Sequence, residues 1–317
     1  MSSEESALRV VKRYRRQVDR LEDEAIMQMA SAFRVLKDGV ITELRKLGEP
    51  DPLPMNARYN QIIGPQITMK LDSYVTKVDA VVTDLSHKTA ALGAASADES
   101  AKWVVPKDQQ NWRRIDVAGL FVGGIFNAGK DALRKIPSAV TGKIEELVGQ
   151  AMGMAEQGLD WLLNQVGDIL SGAWSGFQRV IRTLAEQLFR KAQQEQRQRI
   201  PVKSWRRVAN HQTACLACLM LEGTIYDKEE DFGDHPNGRC YIVPCGPGAQ
   251  SERTGKKWLE EQDEETQRKI MGKGRFEAWK AGELDLDSMT TVKPDPVTGI
   301  PQPSIVPLKE LGMTGGK

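Results

Sequence analysis

From Val11 to Leu47 the apolar residues fall at steps of three and four: Val11, Tyr14, Val18, Leu21, Ala25, Met29, Ala32, Leu36, Val40, Leu44 and Leu47. Such a stripe is one face of an α-helix. Ser2 and Glu5 have the spacing of a capping box at its start. Gly48 and the "EPDPLP" run stop it. A helix over residues 4–47 is about 65 Å long. That length suits a rod or coiled-coil arm better than a compact globule.

A second helical stretch is expected from Ala57 to Ala91, with Ile62, Ile63, Ile67, Leu71, Val75, Val78, Val82 and Leu85 on one side. Gly64-Pro65 is a place for a kink or break. The small, polar "AALGAASADES" reads as a linker, and "WVVPKDQQNWRR" as irregular chain or a short strand. Residues 115–196 read as glycine-rich helices, and Pro201 ends that pattern. Small residues at near-helical spacing, such as Gly119, Gly123, Gly124 and Gly129, allow helices to approach closely. The apolar run "VAGLFVGGIF", Val117 to Phe126, is about half the length needed to span a bilayer. It reads as a buried helix, with a membrane-active segment as the alternative. The charged start lacks the apolar core of a secretory signal, so a cytoplasmic, reducing setting is expected.

Past Pro201 the periodicity changes to short strand-like pieces and turns. Here lie all four cysteines, Cys215, Cys218, Cys240 and Cys245, together with His235. In a reducing compartment clustered cysteines are more often metal ligands or reactive thiols than disulfides. Cys215 and Cys218 form C-x2-C, a spacing at which two thiolates grip one tetrahedral ion. Sixteen residues separate Cys218 from His235, four separate His235 from Cys240, and four more separate Cys240 from Cys245. Two ligand pairs around a short loop are the plan of a structural zinc site. The preferred ligands are Cys215, Cys218, His235 and Cys240, with Cys245 an alternative for either of the last two. The competing readings are cysteines buried as small hydrophobes and a redox pair, although the strand-to-helix setting of such pairs is missing. A zinc deaminase would need a Glu two residues after His235 and the opposite order of motifs. An HNH-type nuclease would need a further histidine, and none follows His235. His87 and His211 have no partner pattern and read as surface or capping residues.

Downstream, "KKWLEEQDEETQRKIMGKGRFEAWKAG" reads as two short helices closed by Gly272 and Gly282. The tail from Val292 is rich in Pro and Gly and is expected to be extended or disordered until it docks. The net charge of +1 predicts no partner. Locally, Arg190, Lys191, Arg197, Arg199, Lys203, Arg206 and Arg207 make a basic stretch, and "RVVKRYRRQVDR" makes another. Both suit phosphate-backbone contact rather than base readout; the other reading is a solvated helix face. The fold class is therefore mainly α. Residues 1–100 form a long helical arm, 101–200 a Gly-rich helical region, 201–250 a small α+β cysteine-rich module, 251–291 a short helical element and 292–317 a tail.

The stretch from Trp174 to Gly282 resembles the minor head proteins of tailed bacteriophages, also called head-morphogenesis or Mu F-like proteins. The resemblance rests on Arg182-Thr183, Trp205, "TACLACLMLEGTIY", His235-Pro236, Arg239-Cys240 and Pro244. It continues through "WLEEQDEETQRKIMGKGRFEAWKAGELDLDSM". The chain departs from the family pattern in three ways. No acid precedes Cys215 in "HQTAC", Gly238 stands where the family has a cysteine, and Cys245 is additional. The resemblance implies a non-enzymatic virion protein, present in few copies; the structural zinc is expected from the cysteine spacing. It implies association with the portal protein, and with major capsid or scaffolding protein, inside the procapsid. It further implies a role in DNA packaging or ejection, in the host cytoplasm during assembly and then in the head interior. Two other functions fit parts of the sequence. They are a metal-dependent nuclease using His235 and a membrane-perturbing ejection protein using Val117 to Phe126.

Overall fold

The computed structural model describes residues 2–118, 124–154, 158–230, 232–234, 238–246, 254–294 and 301–313. Four helices dominate them: α1 (Ser3–Arg45), α3 (Gly64–Ala101), α4 (Gly124–Ala151) and α5 (Gly158–Arg199). The mainly helical class with long N-terminal helices, followed by small antiparallel sheets, is what the periodicity predicts. The capping box forms at the start of α1. Ser2 N donates to Glu5 Oε2 at 2.8 Å, and Glu5 N donates to Ser2 Oγ at 3.1 Å. Along α1 every residue of the predicted stripe is buried except Leu21 and Ala32, which are half-buried.

Gly64-Pro65 does not break the second helix. A short helix α2 (Met55–Arg58) runs into a wide π turn, Tyr59–Ile63, which leads directly into α3. The extra residue of a π turn rotates the helix face, and Ile62, expected in the stripe, is exposed while Tyr59 and Ile63 are buried.

"AALGAASADES" is not a linker. It is the last part of α3, and Ala90, Ala94, Ala95, Ser96, Ala97 and Ser100 are all buried. Their smallness serves close packing rather than flexibility. A methyl group on Gly93 would fall on the backbone carbonyl of Phe189 in α5. Helices approach this closely only where no side chain intervenes.

Contacts divide the chain into two units that do not follow chain order. One unit comprises residues 19–89 and 121–185. Its described residues are mostly helical, and they hold an aromatic cluster. The Phe33 ring stacks on Trp174 at 5.2 Å between centroids, and Tyr74 meets Phe177 edge-on at 5.2 Å. Gly129 of α4 faces Leu184 of α5 so closely that a Cβ would touch the leucine methyls. Of the run from Val117 to Phe126, residues 119–123 lie outside the described ones, as do Gly119 and Gly123. No helix among the described residues is long and apolar enough to cross a membrane.

The other unit comprises residues 1–18, 90–120 and 186–317. Its sheet has the order β2-β1-β3, all antiparallel, from β1 (Ser204–Val208), β2 (Ile225–Asp227) and β3 (Tyr241–Cys245). Every residue of β3 is buried, because both of its faces are covered. Tyr241 and Val243 pack against Val11 of α1. Ile242 turns the other way, into the module's main core with Trp205, Leu216, Leu219, Leu259 and Phe276.

Helices α6 (Leu216–Met220), α7 (Gly255–Glu260), α8 (Glu264–Met271) and α9 (Lys273–Lys280) complete the module. The "two short helices" of the sequence are thus three. Thr254 and Asp263 cap α7 and α8, and Gly272, at φ 77°, turns the chain between α8 and α9. The tail is partly ordered. β4 (Thr290–Pro294) pairs with β5 (Pro301–Ile305), and Leu311 and Met313 pack against the module core. Its prolines are tolerated because a two-stranded ribbon is all edge.

Candidate metal centre

Cys215 and Cys218 lie at the start of α6. Cys215 is its N-cap residue, and Cys218 stands one turn on, so both side chains share a face. Cys240 immediately precedes β3. The Cys218 thiol hydrogen-bonds with both Cys215 and Cys240. Cys218, Asp234 and Cys240, all buried, each offer a ligand atom, and these atoms lie within 4.8 Å of one another. The group could hold a metal ion.

Cys245 is not part of it. Cys240 and Cys245 are an odd number of residues apart along extended chain, so they point to opposite sides of the sheet. Cys245 pairs with Ser204 across the strands, where burial pushes its thiol up to about 11. His235 lies outside the described residues.

Asp234 was not singled out by the sequence, and it organises the cluster. Arg190 donates to its Oδ2 at 2.7 Å and Arg207 to its Oδ1 at 3.0 Å. The backbone N–H of Cys240 donates to Oδ2 at 3.2 Å, and the Cys218 thiol to Oδ1 at 3.3 Å. The two guanidiniums are themselves oriented by carbonyls. Arg190 donates to Gly238 O and Arg207 to Gly233 O, each at 3.0 Å. Gly238, where the family resemblance leads one to expect a cysteine, has a local reason to be glycine. A Cβ there would overlap the Asp234 carboxylate.

The electrostatics follow from this crowding. Burial pulls the Arg207 guanidinium down, but Cys240 and Asp234 outweigh it and hold Arg207 well above its ordinary value. Burial draws the Arg190 guanidinium down despite Asp234 and Cys240. A hydrogen bond with Cys218 holds the Cys240 thiol below its usual range, against burial and Asp234; Arg207 helps. Cys218 is correspondingly pushed up, because its hydrogen bonds to Cys215 and Cys240 and its burial all favour the protonated form. The thiolate is the form that binds metal.

The basic stretch, read from sequence as either a phosphate-contacting or a solvated face, is largely turned inward. Arg190, Arg197 and Arg207 are buried. Arg197 donates to Asp227 O at 2.9 Å. The Arg190 guanidinium also pairs with Glu186, and Glu186 in turn holds Arg15 of α1. Arg206 pairs with Glu4 at 2.9 Å and Lys191 with Glu195 at 2.8 Å. Only Arg199 and Lys203 of the set are exposed. Burying so many charges is tolerable only because they are paired; nothing in a Gln- and Arg-rich helix sequence distinguishes this from a solvated face. His211, expected at the surface, is half-buried. It bonds Glu222 at 2.6 Å and stacks on Trp258 with centroids 4.4 Å apart. His87 is exposed on α3.

No family model, curated protein or solved structure matches this chain.

Proposed function

We propose that this chain is a structural, non-enzymatic minor head protein of a tailed bacteriophage. It associates with the portal inside the procapsid and assists DNA packaging or ejection. The observation that carries this reading is the common core of the residues bearing the resemblance. Trp205, Cys218, Cys240, Leu259, Met271 and Phe276 are buried in one cluster, and Trp258 and Trp279 pack against it. Motifs scattered from Trp205 to Trp279 thus belong to one module, as a family signature requires.

Within the module we assign structural zinc to the thiol cluster. Soft thiolates suit Zn²⁺, and Cys215, Cys218 and Cys240 supply three. Both oxygens of Asp234 already accept from buried guanidiniums, so its part is to orient the cluster. For the fourth place the sequence spacing offers His235, which lies outside the described residues. Bound zinc would tie α6 to the entry of β3 in a module with a small core. The long helices would meet the portal and the capsid or scaffolding protein, in the host cytoplasm during assembly and in the head interior afterwards.

Co-purification tests the assignment. The tagged chain, produced with the portal protein of its own phage, should retain the portal through size-exclusion chromatography. Separate elution of the two would overturn the portal assignment.

A further inference from the structure

The first turns of α1, part of the basic stretch "RVVKRYRRQVDR", carry a groove of about 350 Å³. Arg9, Lys12, Arg13 and Arg16 line it together with Ser6, Val10 and Trp103. At spacings of three, four and seven residues the four cations share one helix face. Glu99 takes up Arg13. Arg9 and Arg16 are exposed, and among the described residues no carboxylate pairs with either. The Lys12 ammonium lies 6.0 Å from the centre of the Tyr241 ring.

Trp103 is 52% exposed, an unusual position for an indole. It is not loosely held. It sits in a tight turn in which Trp103 N donates to Ser100 O at 3.2 Å, and Val105 N to Ala101 O at 2.9 Å. Ala101 and Val105, on either side, are buried in the module core. The backbone that carries the indole is therefore anchored to the module core, and the indole stands exposed beside Arg9 and Arg16.

We propose that this groove binds single-stranded nucleic acid, with Arg9, Lys12 and Arg16 on backbone phosphates and a base stacked on Trp103. Cations that track a backbone beside an aromatic platform are how proteins hold single strands. A duplex keeps its base faces stacked inside and offers the indole nothing. A membrane surface would call for a broad apolar face, and Trp103 is the one exposed large apolar side chain lining the groove among the described residues. The groove's chemistry is independent of the head-protein reading.

Fluorescence anisotropy of a labelled oligo(dT) with the full-length chain tests the site, alongside a duplex of equal length and phosphatidylserine vesicles. Oligo(dT) should bind and weaken with salt. Replacing both Arg9→Ala and Arg16→Ala should lower the slope of log affinity against log salt by about 1.4. Trp103→Ala should weaken binding about tenfold, and Trp103→Phe should restore most of it. These positions are at the surface, and matching circular dichroism would show that the variants fold. Absence of oligo(dT) binding, indifference to Trp103→Ala, equal binding of the duplex, or binding to vesicles alone would each overturn the proposal.

Discussion

Arg190 and Asp234, forty-four residues apart, meet at 2.7 Å in the protein interior. The contact joins the last turns of α5 to the loop before β3, and Arg207 of β1 closes it from the other side at 3.0 Å. Helix, sheet and cysteine loop therefore share one buried carboxylate. Asp234→Asn preserves the shape and removes the charge, leaving two buried guanidiniums without it. Breaking a buried pair in this way costs about 3–5 kcal/mol. Urea unfolding should show a loss of that size. A loss under about 1 kcal/mol would mean that other groups neutralise the arginines.

Metal content should discriminate among the four cysteines. Protein purified without chelator is expected to carry about one zinc per chain by elemental analysis. Cys215→Ser, Cys218→Ser and Cys240→Ser should each abolish it. Cys245→Ser should leave it unchanged, since Cys245 faces the other side of the sheet. Zinc lost in Cys245→Ser and kept in Cys215→Ser would reverse the ligand assignment.

Close packing of α3 on α5 makes Gly93 intolerant of any side chain. Gly93→Ala would normally favour a helix. Here its methyl meets the Phe189 carbonyl, and the forced separation should destabilise by about 1–3 kcal/mol. A melting temperature equal to or above that of the parent would refute the close approach.

Asp98 ties the irregular segment after α3 back to the helix. Trp112 donates to its Oδ1 at 2.9 Å, Lys102 to its Oδ2 at 2.9 Å and Arg114 to Oδ2 at 3.0 Å. Burial raises its carboxyl, but the hydrogen bonds from Lys102, Arg114 and Trp112 together outweigh burial and hold it below 3.8. A depressed carboxyl stabilises the folded state above its unfolded value and loses that contribution as pH falls through its folded value. Asp98→Asn should therefore cost about 1.5–3 kcal/mol at neutral pH. The gap should close in acid, at pH below 3.8. Unfolding curves at several pH values check this; a gap independent of pH would assign the effect to shape instead of charge.

Periodicity made α1 and most of α3 legible, because each keeps an apolar stripe over many turns; the helical character of residues 115–196 was legible, their division into α4 and α5 was not. The spacing pointed to Cys218 and Cys240 as members of one cluster, and the structure brings them together; it kept Cys245 as an alternative, and only the strand shows that Cys245 lies away from them. Asp234 was not legible. It reads as one more acid in a turn, and only Gly238 beside it hinted that space there is taken.

What residue order determined alone was local: helix, strand, cap and turn, each set by neighbours a few positions away. What the tertiary structure decided was the direction in which polar residues face. Glu186, Arg190, Arg197 and Arg207 have the composition of a solvated surface, yet they are buried. A charge can leave water only if its partner arrives with it. Those partners come from α1, α5 and the cysteine loop, which are remote in sequence and meet only once the chain has folded. The same holds for "AALGAASADES", whose small residues look like a flexible linker until Phe189 of another helix is set against them.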